Sequence, residues 1–600
     1  MKHFLTCSAM ALSPVKKFWR LWIVALTVAG IAIGGLTACN PQGLRTQAAQ
    51  VPQIVDSILS DPKTFNYALI SEAPNVGQLM YLGLVTENAK TGELEPELAE
   101  KWELSPDKKR VTFTLRDGLK WSDGQPLTAD DVIFTYQGIY LNEKVPTNIQ
   151  DVLRIGTQRQ FPTVRKIDDR RVEFTTPEPF APFLPTTGGL AILPKHVLEE
   201  TITKTTSDGQ PVFLSMWGTD TDPKKIICNG PYMLDGYAAT QRIIFRRNPY
   251  YWHKDAQGNI ERIIWSVIEN QNTMLLQFRS GGLDLSEPIR AEDYPILKKE
   301  EKRGRFTTYI GGPRAITTFM AFNLNQGRRN GVPVVDPIKS KWFNNVKFRQ
   351  AVAYAIDRDR MNSQIFRGLG VLINSQILPI SPYYLKPEEG LKVYNFNQEK
   401  AKQLLKEGGF KYNDRGQLTD AGGNAVRFTL MTNAGNTFRE AMIAQIKQDL
   451  SQIGIQVDTN PINFGVLLDK LDNTQQWDSY LLAMGGSREP NSGANVWLPD
   501  SRSHSFNQAA QPGKPPLEGR VVADWEARIG QLYVQGAQEL DEAKRKQIYG
   551  EVQKISQEYL PWIPLVNARI MAVVRDRIKG VDYPETGGVI WNIQDLRVQD

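Results

Sequence analysis

Two short loops hold the residues of this 600-residue chain best suited to binding chemistry. Thr432-Asn433-Ala434-Gly435-Asn436 precedes a helix-patterned segment that carries Arg439 in its first turn. Free N–H groups at a helix N-terminus attract anions and polar groups. The second loop, Gly485-Gly486-Ser487-Arg488-Glu489-Pro490-Asn491-Ser492, follows the apolar run Tyr480 to Met484. In open α/β sheets ligands lie beyond the carboxyl ends of strands, and both loops fall there. The parts for catalysis are missing. Gly513-Lys514 is followed by two prolines, so it is no phosphate loop, and no G-x-S-x-G elbow occurs. His196, His253 and His504 are too far apart in sequence for a zinc cluster. The chain is read as a non-enzyme with no metal and no cofactor. Its many carboxylates leave a secreted glycosidase as an alternative of another class.

The elements that must position these loops follow a strand–helix–strand pattern. Val426, Phe428 and Leu430 alternate as a strand, and Thr437 with Glu440 forms a capping box. The helix it opens runs through Ala441, Ile446 and Leu450 to Gly454, and Ile455 and Val457 begin the next strand. The spacing predicts a βαβ unit with parallel strands. Upstream, Val346, Phe348, Val352, Ala355, Ile356 and Met361 predict one helix over 345–365, with Gly368 as its stop. Asn397 caps another helix that ends at Gly408-Gly409. Strands and helices alternate without a repeat, which argues α/β or α+β rather than all-β, and the length implies more than one lobe.

Residues 1–38 contain Lys2, Lys16, Lys17 and Arg20 but no acid, and Leu21 to Leu36 is apolar or small except for Thr27. This is the pattern of a secretory signal. Leu36-Thr37-Ala38-Cys39 resembles a bacterial lipobox, which implies that Cys39 is acylated and that residues 39–50 form a flexible tether. A retained membrane anchor is the alternative, since the run nearly reaches the ~20 residues a spanning helix needs. Cys7 falls in the signal and Cys228 then has no partner, so no disulfide framework exists. The net charge of +6 drops to +2 without the signal, with 67 basic against 65 acidic residues. No nucleic-acid partner is implied.

One stretch is denser in structural signals than any other: LAEKWELSPDKKRVTFTLRDGLKWSDGQPLTADDVIFTY, Leu98 to Tyr136. Val111, Phe113 and Leu115 alternate as a strand, and Asp117-Gly118 and Asp123-Gly124 make turns. Thr128 with Asp131 caps a helix whose stripe is Val132, Tyr136, Ile139 and Tyr140. The same residues resemble the signature of the family 5 extracellular solute-binding proteins of ABC importers, which bind peptides, dipeptides, oligopeptides and nickel. Phe348 to Arg358, FRQAVAYAIDR, is a second match. ILPKHVL (192–198), NGPYML (229–234) and RNPYYW (247–252) lie between them.

The resemblance implies a two-lobed periplasmic-binding-protein fold of type II, in the large cluster with an extra subdomain. Carried over, the first lobe takes 50–306 and 566–600, with the subdomain at about 90–215, and the second takes 307–565. The ligand cleft lies between lobes joined by a two-crossing hinge. The function implied is capture of di- and oligopeptides and delivery to a permease with separate ATPases. An oligosaccharide, a nickel chelate or a chaperone or adhesion role are the alternatives. Ser71, Glu72, Ala73 and Asn75 would form the first lobe's rim. Asn433, Asn436, Arg439, Met484, Gly485, Gly486, Arg488, Glu489 and Asn491 would line the second, with Trp497 either stacking on ligand or packed in the core. Arg439 or Arg488 could meet a carboxylate in a two-pronged fork. Peptide-binding relatives place an aspartate near Gly486 and Ser487, where this chain has no acid, and Glu489 stands two or three residues off. The expected protein is a periplasmic, lipid-anchored monomer at the outer face of the inner membrane.

Overall fold

Arg110–Leu115 forms a strand that buries Val111, Phe113 and Leu115 and leaves the residues between them partly exposed. Gly118 and Gly124 adopt φ of +66° and +88°, which the two turns require. The Thr128 hydroxyl accepts from the Asp130 N–H, and the Asp131 carboxylate accepts from the Thr128 N–H at 2.9 Å. Helix Ala129–Phe134 starts there and widens into an i→i+5 turn over Thr135–Tyr140. Tyr136 and Tyr140 donate their hydroxyls to the Thr187 and Ala191 carbonyls, so the stripe is buried and satisfied. Arg116 stacks on Trp252 at 3.8 Å, and Trp252 donates to Glu97 at 2.7 Å. The dense motif thus packs against the RNPYYW segment.

The computed structural model describes residues 51–599 except 71–73, 148, 255–257, 512–514 and 585–586. The predicted signal, the tether through residue 50, Cys39, and the rim residues Ser71, Glu72 and Ala73 lie outside the described residues. The chain divides into two compact units after Gln53, and the architecture is that of Ile54–Asp600.

Two four-stranded sheets occupy the first half. One is antiparallel in the order Ala99–Leu104, Arg110–Leu115, Arg171–Thr175, Thr163–Lys166. The other runs Gln53–Ile58, Arg262–Val267, Arg242–Arg247, Tyr232–Ala238. The strands that position the site are β1 (Phe306–Pro313), β2 (Ile316–Phe322), β3 (Arg427–Asn433), β4 (Gln456–Ile462), β5 (Ser479–Gly485), β6 (Trp562–Pro564) and β7 (Arg569–Arg575). Five of them make one sheet in the order β4-β3-β5-β2-β6. β3 is parallel to β4 and to β5, whereas β2 is antiparallel to β5 and β6. β1 and β7 pair antiparallel in a separate three-stranded sheet with Leu285–Ser286.

Helix α1 (Val346–Ala355) packs on the five-stranded sheet, where Phe322, Phe343, Phe348 and Phe428 form one aromatic cluster. Helix α2 (Thr437–Ser451) joins β3 to β4 in the predicted parallel βαβ unit. Two local expectations need correction. The helix over 345–365 breaks at Ile356, because Asp357 caps a new helix, Arg358–Ile365, by accepting from the Arg360 N–H at 2.9 Å. The cap of α2 is Asn436, not Thr437, and Ala441 faces solvent while Met442, Ile443, Ile446 and Leu450 face the core. Glu440 still closes the turn, accepting from the Gly435 N–H at 2.8 Å.

The FRQAVAYAIDR motif also serves the core. Arg349 is 2 % exposed and donates to the Phe343 and Tyr559 carbonyls at 2.5 and 2.8 Å, tying α1 to helix α4 (Glu542–Tyr559). Burial pushes its guanidinium down to about 10. Arg349→Leu strands both carbonyls, so urea denaturation should find a loss of about 2–4 kcal/mol.

Candidate functional site

β3 and β5 run parallel and β2 runs against them, so the ends of β3 and β5 and the start of β2 share one sheet edge. Ile316 at the start of β2 pairs with Gly485 at the end of β5, and the Gly486 N–H donates to the Ala315 carbonyl at 2.9 Å. The chain passes between the three- and five-stranded sheets twice at this edge. The outward pass runs from Pro313 to Ile316, and the return from Pro564 to Arg569. The Arg314 N–H donates to the Ala568 carbonyl at 3.2 Å. Asn567, fully buried, accepts from the Thr318 N–H at 2.9 Å and donates to the Ile316 carbonyl.

Three predicted residues meet at the end of β3. Asn433 accepts from the Arg439 guanidinium at 2.7 Å, and Asn436 accepts from the Arg439 N–H at 3.1 Å. The side chain of Arg439 keeps some solvent access although protein surrounds it. Burial pushes Arg439 down to about 10, and the like charge of Arg314 adds to that effect. Burial lowers Arg314 as well, against the pull of Glu287 and Tyr583. Thr437, displaced from its predicted capping role, donates its N–H and hydroxyl to Gln271 at 3.1 and 3.0 Å. Gly435, at φ +83°, lies so close to the Glu269 carbonyl that a Cβ would stand 2.6 Å from that oxygen.

At the end of β5, Met484 is half-buried and Gly485 and Gly486 are exposed. A Cβ on Gly485 would meet nothing within 4 Å. The pairing of β3 with β5 ends at Met431↔Tyr480, whereas β5 continues against β2 as far as Gly485. Since β3 ends at Asn433, Ala483 to Gly485 have no strand beside them on the β3 side among the described residues. Arg488 reaches outward to Glu87 at 3.6 Å and lies across Gly92, where a Cβ would be 2.3 Å from its Nε.

Several predicted residues point elsewhere. Glu489 accepts both prongs of Arg545, at 2.6 and 2.9 Å, so its charge is matched inside the protein. Burial pushes Arg545 down, but the Glu489 hydrogen bonds outweigh it and hold the guanidinium above its ordinary value. Asn491 is buried, and its N–H donates to Glu489 at 2.9 Å. Trp497 is 3 % exposed and packs on Tyr533, Trp562 and Phe506, so of its two readings the core one holds and it is removed from the lining. Asn75 is exposed and caps the 3-10 turn Val76–Leu79 through the Gly77 N–H at 3.0 Å. Cys228 is buried, and burial pushes its thiol up to about 12, the state of a packed side chain rather than a nucleophile. Sequence reasoning missed Arg314, Gln271 and Glu287. No local pattern marks an arginine in a chain crossing, and only the sheet order sets Arg314 at the edge where Asn433 and Arg439 lie. Among the described residues, no cluster of three or more His, Cys, Asp or Glu side chains is placed to hold a metal.

The family model for bacterial extracellular solute-binding proteins, family 5 middle region, matches residues 93–505. The chain belongs to that family. The binding protein is 32% identical over 546 residues to a probable ABC transporter-binding protein of Deinococcus radiodurans, covering 87% of this chain and 88% of the relative. The oligopeptide-binding protein AppA of Bacillus subtilis, solved with a nonapeptide, superposes with a TM-score of 0.75 at 21% identity, over 92% of this chain and 99% of its own. MelB of Agrobacterium fabrum, solved with stachyose, superposes with a TM-score of 0.75 at 22% identity, over 91% and 85%. The fold is the two-lobed periplasmic-binding-protein fold, and the protein is the solute-binding component of an ABC importer, not an enzyme. It works outside the cytoplasmic membrane with a small solute and a permease as partners. No helix among the described residues is long and apolar enough to cross a membrane.

Gly435 tests the closeness of the approach at this edge. Gly435→Ala should cost about 1–2 kcal/mol in a denaturant titration, because the left-handed backbone penalises a Cβ. The clash with the Glu269 carbonyl should also enlarge the radius of gyration measured by X-ray scattering.

Proposed function

We propose that the binding protein captures peptides in the cleft at the open edge of the five-stranded sheet. The β3-facing side of Ala483 to Gly485, which lies past the end of β3, carries this reading. An extended peptide backbone can hydrogen-bond along such an edge, while alternate side chains occupy pockets or water. A sugar has no regular donor–acceptor ladder to match it. The B. subtilis relative solved with a nonapeptide supports the reading. The MelB structure with stachyose keeps an oligosaccharide as the second one.

In this reading one lobe takes 50–306 and 566–600 and the other takes 307–565, with the extra subdomain at about 90–215. Asn433, Asn436, Arg439, Met484, Gly485, Gly486 and Arg488 line the second lobe, and the segment holding Ser71, Glu72, Ala73 and Asn75 lines the first. Cargo closes the lobes because the closed form touches it from both sides, and only that difference in affinity moves the equilibrium. The protein acts as a monomer tethered through acylated Cys39. More than one acyl chain is needed there, since a single chain anchors only marginally at ~0.8 kcal/mol per methylene.

A thermal-shift panel of mixed di- to decapeptides, nickel with histidine, and oligosaccharides tests the cargo. Ligands that prefer the folded protein raise its melting temperature. A rise with peptides alone is expected, and a rise with sugars or the chelate alone would replace the cargo class. Gly485→Val fills open space next to the strand edge. It should leave unfolding within ~0.5 kcal/mol of the parent and weaken peptide binding at least ~10-fold by calorimetry. Cys39→Ser should move the protein from the membrane to the soluble fraction and abolish palmitate labelling. Continued membrane association would instead indicate a retained apolar anchor.

A further inference from the structure

Outside the two crossings, a second set of contacts ties the first half of the chain to the second. Asp151, buried in the helix Ile149–Leu153, accepts from the Arg502 N–H at 3.1 Å and from the Arg159 guanidinium at 3.3 Å. Further on, Glu178 accepts from the Gln538 amide at the end of helix α3 (Asp524–Gln538), and the Ala181 N–H donates to the Ala537 carbonyl at 2.7 Å. Among the described residues the Glu178 carboxylate has no other hydrogen bond and no ion pair, so an amide from the other half of the chain holds it. Apolar side chains follow the same exchange. Ile529, Leu532 and Tyr533 of α3 are buried in the core of the second half, but Ala537 belongs to the core that holds Phe180 and Phe183. In return, Val152 packs against the core that holds Val496 and Trp497. Glu178, Ala181, Arg502 and Gln538 all keep some exposure, so water can replace their bonds and each is worth little alone. Two or three together are enough to move an open–closed equilibrium about tenfold.

We propose that residues 149–181, within the extra subdomain, form a clasp on residues 494–538 of the second lobe and hold the empty protein toward its closed form. The clasp rests on the lobe boundaries and on the closing motion, not on the cargo being a peptide. None of its hydrogen bonds involves a residue of the proposed lining, so it favours every cargo alike. Apparent affinity scales with the fraction of protein in a binding-competent form, and the clasp raises that fraction. Selection of the cargo stays with the cleft, and the subdomain sets the overall strength of capture.

An exchange of partners at one contact tests the clasp on the whole protein. Gln538→Glu sets a second carboxylate against Glu178, and like charges there repel. Glu178→Gln combined with Gln538→Glu restores an amide facing a carboxylate, with the roles reversed. Both positions are half-buried, so the two variants should keep the parent's circular dichroism. Small-angle X-ray scattering of the empty protein should give a larger radius of gyration for the single variant and the parent's value for the swap. Calorimetry with tetra-alanine and with maltotriose should find binding weakened about threefold or more in the single variant, by one factor for whichever probes bind. The swap should recover it, which a merely local loss of stability would not do. An unchanged radius in the single variant overturns the clasp, as does an enlarged radius that the swap fails to reduce. A loss confined to one of two bound probes overturns it too, because the contact then belongs to recognition of that cargo. Scattering needs no cargo, so it decides the clasp even when neither probe binds. Maltotriose binding without tetra-alanine would overturn the peptide reading and leave the clasp to the scattering result.

Discussion

The antiparallel pairing of Phe306–Pro313 with Arg569–Arg575 is the constraint on which the rest of this molecule depends. It holds the outward and return crossings side by side, so the two sheet systems meet along one short line. Asn567 bonds across to Thr318 and Ile316, which pins the return crossing onto the first residues of β2. Since β2 begins where β5 ends, everything at the open sheet edge is measured from that line. A hinge of paired strands is stiff along its length and free to twist about it, and twisting is what closing around a solute requires.

Around that line, matched and unmatched charges have different jobs. Arg349 and Arg358 are buried and donate to carbonyls of other segments, so they fasten their helices to the rest of the core. Arg545 with Glu489 fastens the loop after β5 to α4 and gives it a fixed shape. Arg314 feels the pull of Glu287, and Arg439 has the neutral Asn433 as its side-chain partner.

Two close approaches depend on glycine. Gly435 lies against the Glu269 carbonyl, and Gly92 lies under the Arg488 side chain. Glycine allows contact without a side chain between, and at both positions the backbone also takes a positive φ. The Ala181 N–H donates to the Ala537 carbonyl at 2.7 Å, a main-chain bond to helix α3 (Asp524–Gln538).

From its sequence alone the chain determined what is local. The turns at Gly118 and Gly124, the Thr128 cap, the βαβ unit and the family signature are all set by neighbours within a few residues, where propensity and capping act. The position of the two loops at strand ends was legible for the same reason. Tertiary structure decided the rest, because it rests on pairs distant in sequence. Thr437 lost the cap to Asn436 as its N–H and hydroxyl turned to Gln271, 166 positions away. Glu489 turned to Arg545, 56 positions on, and Trp497 into the core. Arg314 came to the same sheet edge as Arg439 only through the strand order β3-β5-β2. A charge is a binding group or a structural strut according to its partner, and in this protein the partners come from parts of the chain that meet only when it folds.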